Sequence, residues 1–346
     1  MQLGWLKIPA ILLVILPFGW AGAEETQASW SRLMMEGEHK DNLNKYLAAI
    51  KIAEKSGENN PRLHIALHNA GVLCAWRYKN LDRAEELFKR DIAVLEKISV
   101  DFPDIVSDCY ELANIYEWQG RYKEAEALLL RAVALRKKWE DLQSNDPFNA
   151  ELYASLYTIY YVQGNEAKAN EWKSQMLKSL ALWHSDRTRG ECLFKIDNNL
   201  YKYATRCKKI DPAKRKHLLE MALGFSMQSA TCNRRCYGEW SGEVADIDVA
   251  GILMALGRLA ESERILRRAL SMAEEDLPGK KGYAFPTLAR LATILCSQHR
   301  LNEVEQLQDD YLAKIANRFG KTSDTYIGEV SGCGEIWGNE KYPERA

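Results

Sequence analysis

The chain has no excess of charge of either sign. Its 346 residues carry 47 basic and 48 acidic side chains, which leaves a formal net charge of −1. Binding to nucleic acid or to an anionic membrane surface depends on a surplus of Lys and Arg. We therefore expect neither of these as the main partner.

The sequence also lacks the patterns of a catalytic site. No nucleophile with a neighbouring base, no phosphate-binding loop and no isolated pair of acids stands out in it. His64 and His68 have the spacing at which two imidazoles on one helical face can share a metal. The residues between them are Ile, Ala and Leu, so the glutamate of the metalloprotease motif is missing, and ordinary helix side chains are the favoured interpretation. We predict no enzyme, no catalytic residue, no metal and no cofactor.

A single apolar run is present, and it lies at the start of the chain. Lys7 precedes the run from Ile8 to Trp20, and Ala21-Gly22-Ala23 follows it. A charged start, a short apolar run and small residues predict a signal peptide over residues 1–23, cleaved after Ala23. We expect export to the periplasm or the extracellular space, with no transmembrane segment after cleavage. The alternative is a retained anchor, although the run is shorter than the roughly 20 residues of a spanning helix.

One phrase recurs along the chain. Its clearest copy, from Leu112 to Ala132, reads LANIYEWQGRYKEAEALLLRA, and a second copy, from Leu253 to Ala269, reads LMALGRLAESERILRRA. The period is about 42 residues, and apolar positions within each copy follow the spacing of one helical face. The last small position of the phrase is occupied in turn by Ala49, Asp91, Ala132, Met176, Ala222, Ala269 and Tyr311. No strand alternation of useful length is found, so the pattern predicts seven helix pairs.

The phrase resembles the tetratricopeptide repeat. The resemblance covers about Trp30 to Phe319 and is strongest in repeats 3 and 6. The long period is similar to that of kinesin light chain repeats. The resemblance implies an all-α, right-handed superhelical solenoid of antiparallel helix pairs, which binds other proteins and performs no reaction.

The repeats give a domain organisation. We predict repeats 1–5 over residues 24–228, an irregular connector with two cysteines over 229–242, repeats 6 and 7 over 243–319, and a capping helix with a tail over 320–346. Repeat 5 departs most from the phrase, and the connector at residues 229–242 is a possible boundary between a half of four repeats and a half of three.

The resemblance also implies a binding site. First-helix positions that line the concave groove in the family correspond here to residues of repeats 2 to 4. They are Asn69, Leu73, Trp76, Arg77, Tyr110, Asn114, Glu117, Trp118, Thr158 and Tyr161. Aromatic rings beside hydrogen-bonding side chains suit a peptide-binding surface. The alternative is that some of these rings pack between repeats.

The exported part contains all eight cysteines, so disulfides are allowed. Cys232 and Cys236 form a CxxxC string, and either could form a bridge to Cys192 or Cys207. Cys192 is favoured, because the loop after the second helix of a pair lies near the start of its first helix. Unpaired thiols, or a redox or metal module at this string, are the alternatives.

Taken together, these features predict an exported interaction scaffold that binds a protein or peptide in its groove. The alternatives are an accessory subunit of envelope assembly or polysaccharide export and, third, the cysteine module.

Overall fold

The structure is a computed structural model that describes residues 21–39, 42–57, 60–98, 104–140, 148–207, 210–275 and 284–339. Over these ranges the chain is helical, with turns and no strand. The predicted all-α class is confirmed. The apolar run of the predicted signal peptide lies outside the described residues.

The described residues form fifteen helices in chain order. They are α1 (Ala21–His39), α2 (Leu43–Lys55), α3 (Pro61–Trp76), α4 (Leu81–Ile98), α5 (Asp104–Gln119), α6 (Tyr122–Glu140), α7 (Phe148–Gln163), α8 (Glu166–Ala181), α9 (Asp186–Arg206), α10 (Pro212–Tyr237), α11 (Glu239–Ala255), α12 (Leu259–Glu275), α13 (Ala284–Ser297), α14 (Leu301–Phe319) and α15 (Asp324–Asn339). Among them, none combines the length and the hydropathy that a membrane span requires.

The described residues belong to two compact bodies. The N-terminal body contains α1 to α8 and the segment Thr205–Asp211, and the C-terminal body contains Trp183–Ala204 and the residues from Pro212 onward. The N-terminal body thus contains the four helix pairs α1 to α8, and the division before α9 lies ahead of the boundary that was expected at residues 229–242.

The predicted repeat register places small residues where two helices of a pair cross. Ala84, Ala125 and Ala169 are all buried, and each begins the inner face of a second helix. In repeat 2 the first helix also contributes a small residue: a side chain at Gly71 would lie 3.0 Å from the ring of Phe88. The core of each pair depends on this close approach, because helix axes come together only where one partner is small.

Tight turns join the helices of a pair. Gly120 has φ of 77°, in the left-handed region that ends a helix and that glycine adopts without strain. Lys79 and His299 occupy the same place in repeats 2 and 7 with φ of 54° and 59°. These two turns have the geometry of the glycine turns, although the left-handed conformation is sterically unfavourable for a residue with a side chain.

An arginine after the turn connects successive repeats in each body. In the N-terminal body, Arg121 Nη1 lies 2.7 Å from Glu85 Oε2 on the preceding second helix. In the C-terminal body, Arg300 Nη1 lies 2.7 Å from Glu263 Oε2 in the same arrangement. The repeated contact fixes how each pair stacks on its neighbour.

The predicted irregular connector over residues 229–242 is wrong. Helix α10 continues through Tyr237, Gly238 with φ of 89° separates it from α11, and α11 begins at Glu239. The helix continues because Ala230 and Cys232 are buried against neighbouring helices and Thr231 bonds back to the carbonyl of Met227.

Helix α15 lies in the region where a capping helix was predicted. It packs on α13 and α14, where Gln308 Nε2 donates to the carbonyl of Cys333 at 3.1 Å. The phenyl ring of Phe285 approaches Gly332 so closely that an added Cβ would lie 2.6 Å from it. Residues 340–346 of the predicted tail lie outside the described residues.

Candidate functional site

Trp76 and Trp118, two of the predicted groove residues, lie together in the N-terminal body. They stand at the carboxyl ends of α3 and α5, and their ring centroids are 4.8 Å apart in an edge-to-face arrangement of 84°. The indole nitrogen of Trp76 donates to Glu111 Oε2 at 3.1 Å. Both rings remain partly accessible to solvent. The stacking of the equivalent helices α3 and α5 thus brings two tryptophans that are distant in sequence into contact.

The guanidinium of Arg206 lies on this pair. Its central carbon is 4.6 Å from the ring centroid of Trp76 and 4.5 Å from that of Trp118. A cation at that distance is attracted to the negative faces of the rings. Arg206 belongs to Thr205–Asp211, the segment that the chain contributes to the N-terminal body from the end of α9. A segment of the protein itself therefore contacts the predicted anchors.

The same segment has a second contact in this body. The sulfur of Cys207 is 3.1 Å from the hydroxyl of Tyr122 at the start of α6. Cys207 and Ile210 are buried. Sequence reasoning missed this segment, because repeat 5 matches the phrase poorly and its basic residues resemble a solvated helix end.

Three other predicted groove residues are accessible. Arg77 is exposed, whereas Asn69 and Tyr161 are half-buried. The ring of Tyr161 stacks on that of Tyr157 with centroids 5.6 Å apart. These side chains can contact a partner without any change in the fold.

The remaining five predicted groove residues are buried: Leu73, Tyr110, Asn114, Glu117 and Thr158. Their prediction as contact residues is wrong, because they pack inside the helical stack. Tyr110 on α5 donates its hydroxyl to Glu151 Oε1 on α7 at 2.7 Å, so it connects two repeats. Thr158 donates its hydroxyl to the carbonyl of Ala154 one turn earlier. Glu117 is 1% exposed, and burial raises the pKa of its carboxyl well above the usual range.

The cysteines of repeat 5 lie in the C-terminal body on α9 and α10. Cys192 and Cys232 are buried, and Cys236 is exposed. Gly190 packs so closely on α10 that an added Cβ would lie 3.0 Å from the Cβ of Cys232. Burial, together with Asp186 at 3.8 Å, raises the pKa of the Cys232 thiol. A redox cysteine needs the opposite shift, so the redox alternative loses support, while a bridge to Cys192 stays a prediction.

Residues 110–138 match the family model described as tetratricopeptide repeat. This segment is similar to a tetratricopeptide repeat. It runs from Tyr110 on α5 to Lys138 on α6, which is repeat 3, where the phrase is clearest. The resemblance predicted from the sequence is confirmed, and the tetratricopeptide architecture is one used for protein–protein interaction.

Two solved structures are similar to the chain at low identity. A Rap protein in complex with competence and sporulation factor shares 15% identity, covers 92% of this chain and 88% of its own, and has a TM-score of 0.37. The tetratricopeptide domain of P58(IPK) shares 13% identity, covers 93% of this chain and 89% of its own, and has a TM-score of 0.25. No curated protein sequence matches the chain. At these TM-scores the two structures do not bear on the function of this chain.

Proposed function

We propose that the protein is an exported scaffold that binds a segment of another protein on the accessible face of its N-terminal body. Trp76 and Trp118 are the anchors of this site. The observation that carries the proposal is the cation on the aromatic pair: the two rings already hold the guanidinium of Arg206. Paired aromatic rings of this kind are frequent among the few residues that supply most of the affinity of an interface.

The contact with Arg206 indicates the chemistry of the partner. Two indole faces attract Arg or Lys, and each cation–π contact contributes about 0.5–1 kcal/mol at an exposed site. A partner segment with a basic side chain would replace Arg206, and Asn69 and Tyr161 would supply hydrogen bonds nearby along the stack. Because the partner competes with a tethered residue, its apparent affinity is lower than that of the open site.

The experiment compares variants of the immobilised protein in a pull-down from the exported fraction of the source cells. Trp76→Ala/Trp118→Ala should lose the partner, whereas Arg206→Ala should capture more of it than the wild type. Tyr237→Ala is the matched control, because it removes an exposed ring of the C-terminal body. Capture of the same partners by the double tryptophan variant would refute the groove proposal.

Leucine variants separate the charge contact from simple packing. Trp76→Leu/Trp118→Leu keeps apolar bulk but removes the π faces. If a basic side chain is recognised, the leucine variant should bind as weakly as the alanine variant. Equal binding by the leucine variant and the wild type would show that the rings act only as apolar surface.

Export and the absence of catalysis belong to the same proposal. Support for export comes from the sequence pattern of residues 1–23, and amino-terminal sequencing of the mature protein should begin at Glu24. Helical repeats of this family are typically scaffolds, which supports an action by binding alone. The envelope-assembly alternative requires one large uncovered apolar patch, but the exposed large apolar side chains are distributed over helices of both bodies.

A further inference from the structure

A cluster of imidazoles and carboxylates lies inside the N-terminal body, apart from the tryptophan pair. Helix α3 contributes His68, α4 contributes Asp91 and α5 contributes Asp108. One ligand atom from each of the three lies within 4.8 Å of the other two. The closest approach is 2.7 Å, between His68 Nδ1 and Asp108 Oδ1. Three helices of two successive repeats thus direct metal-binding groups to one point.

Asp91 is the unusual member of this cluster. Its side chain is fully buried, and with both carboxyls ionised neither of its oxygens has a hydrogen-bond partner among the described residues, so that only a proton shared with Asp108 would supply one. Nδ1 of His64 is 3.9 Å from Oδ1, which is beyond hydrogen-bond distance. One oxygen of Asp108, Oδ2, is in the same position. Buried carboxylates of this kind are costly unless they hold a proton or coordinate a metal.

The repeat register shows that the fold does not need a carboxylate here. The equivalent position is buried in all seven repeats, and it holds Ala49, Ala132, Met176, Ala222, Ala269 and Tyr311 in the other six. A small or apolar side chain therefore fills this place in the helix stack. Asp91 departs from this pattern. Selection for stability alone would place a small or apolar residue at this position.

We propose that His68, Asp91 and Asp108 bind a divalent transition-metal ion of the Zn²⁺ class. Ligand atoms about 2.1 Å from a tetrahedral ion lie about 3.4 Å from one another. The three ligand atoms here lie within 4.8 Å of one another, and the 2.7 Å hydrogen bond between His68 and Asp108 would open to admit the ion. Nitrogen and oxygen donors without sulfur suit Zn²⁺, Co²⁺ or Mn²⁺ better than Cu⁺. The ion has a route from solvent, because the side chain of His68 is 23% exposed.

The groups around the three ligands fit the same role. His64 stands one turn before His68 on α3, with Nδ1 toward Asp91 and Nε2 3.6 Å from Asp104 Oδ2. A carboxylate behind an imidazole fixes the ring and its tautomer in metal sites. His64 is thus placed to complete the coordination after a small shift, with Asp104 as its support.

Without a metal, the cluster must be stabilised by protons. The side chains of Asp91 and Asp108 are within hydrogen-bond reach of each other, so a shared proton would join them when no ion is bound. The metal-bound and the proton-bound states make opposite predictions for Asp91→Asn. Asparagine imitates the protonated acid, so it preserves the fold in the proton-bound state and removes a ligand in the metal-bound state.

The test titrates the metal-stripped full chain with Zn²⁺ by calorimetry and with Co²⁺ by absorption spectroscopy. We expect one ion per chain and a cobalt spectrum without thiolate charge-transfer bands. Asp91→Asn and His68→Gln should each weaken the affinity by more than about 100-fold, and Asp104→Asn by about 10- to 100-fold. His184→Gln is the matched control, since it removes an exposed histidine, and should leave binding unchanged.

The fold of each variant is checked by thermal unfolding in EDTA, where Asp91→Asn should be at least as stable as the wild type. The proposal is overturned if the wild type binds neither ion, if Asp91→Asn keeps the wild-type affinity, or if the cobalt spectrum shows thiolate ligands. Loss of metal binding by Asp91→Asn with capture of the protein partner intact would leave the groove proposal unaffected.

Discussion

Glu117 on α5 provides the sharpest test of the side-chain placement. It precedes Trp118 and is 1% exposed, and its Oε1 has no hydrogen-bond partner among the described residues. Burial raises the pKa of this carboxyl well above its usual range. We predict that Glu117→Gln stabilises the protein at neutral pH, because glutamine keeps the shape and removes the need to bury a charge or retain a proton.

The sign and the size of the effect follow from proton binding. Above a pH of about 4.5 the unfolded carboxyl is ionised, while the native one still holds its proton. The free energy of unfolding of the wild type then falls by about 1.4 kcal/mol per pH unit relative to the variant. The stability that the protonated group contributes is complete below the unfolded pKa and is lost as the pH rises toward the native pKa.

The assay is urea unfolding followed by circular dichroism, for wild type and Glu117→Gln, at several values from pH 4.5 to pH 7.5. The two curves should nearly coincide at the acid end and separate steadily above it, with the variant more stable. Glu124→Gln is the matched control: the hydrogen bond from Arg121 lowers the pKa of Glu124, so this site is ionised in both the folded and the unfolded state above about pH 4.5, and the difference between that variant and the wild type should not change over the assay range. A separation for Glu117→Gln that does not change with pH would refute the reasoning and show an ionised, paired Glu117.

Two further predictions concern packing and thiol access. Phe88→Ala should lower the free energy of unfolding by about 3–5 kcal/mol in thermal or urea unfolding, because the fully buried ring fills the space over Gly71; a loss below about 1 kcal/mol would contradict this packing. Cys236 should react with a maleimide before Cys232 does, as read by peptide mass spectrometry, because Cys236 is exposed whereas Cys232 is buried with a raised pKa. Faster labelling of Cys232 would contradict the placement of α10, and protection of Cys236 under non-reducing conditions would support a bridge.

The sequence predicted the helix pairs well because one pattern carries both local and tertiary information. Ala125 and Ala169 are small since two helices cross at each of them, so the spacing of small residues reports the packing directly. The turns at Gly120 and Gly164 were predictable for a similar reason, because both glycines take a positive φ that ends the first helix. At such positions one physical requirement determines the residue type, so a sequence pattern can identify the structure.

The groove was predicted only in part, because a first-helix position does not show which neighbour covers it. Trp76 and Trp118 face an accessible surface, whereas Glu117 and Thr158 lie under the next elements of the stack. Burial at these positions depends on the rotation of each helix and on contacts from distant segments. Arg206 shows this most clearly, since it reaches the tryptophan pair from 130 and 88 positions later in the sequence.

The connector after repeat 5 was mispredicted for another reason. Cysteines and glycines near Cys232 and Gly238 are typical of an irregular segment, but Ala230, Cys232 and Gly242 are buried. Gly190 and Gly242 are small because α9 and α11 approach α10 closely: an added Cβ at Gly242 would lie 2.7 Å from the side chain of Arg234. Small residues serve close packing as often as they serve turns, and the sequence does not distinguish the two uses.

A repeat architecture makes departures from its own register informative. At the position of Asp91 the other six copies carry a small or apolar side chain, so they serve as controls for it. Asp91 replaces that side chain with a carboxylate and faces Asp108 and His68 from the next and the same repeat, respectively. Binding of an ion or a proton by these three side chains would link α3, α4 and α5. The fold alone requires only a small or apolar side chain at the position of Asp91. The N-terminal body that carries the tryptophan pair would then gain stability from a ligand, since a metal that binds only the folded chain stabilises it in proportion to the logarithm of its concentration.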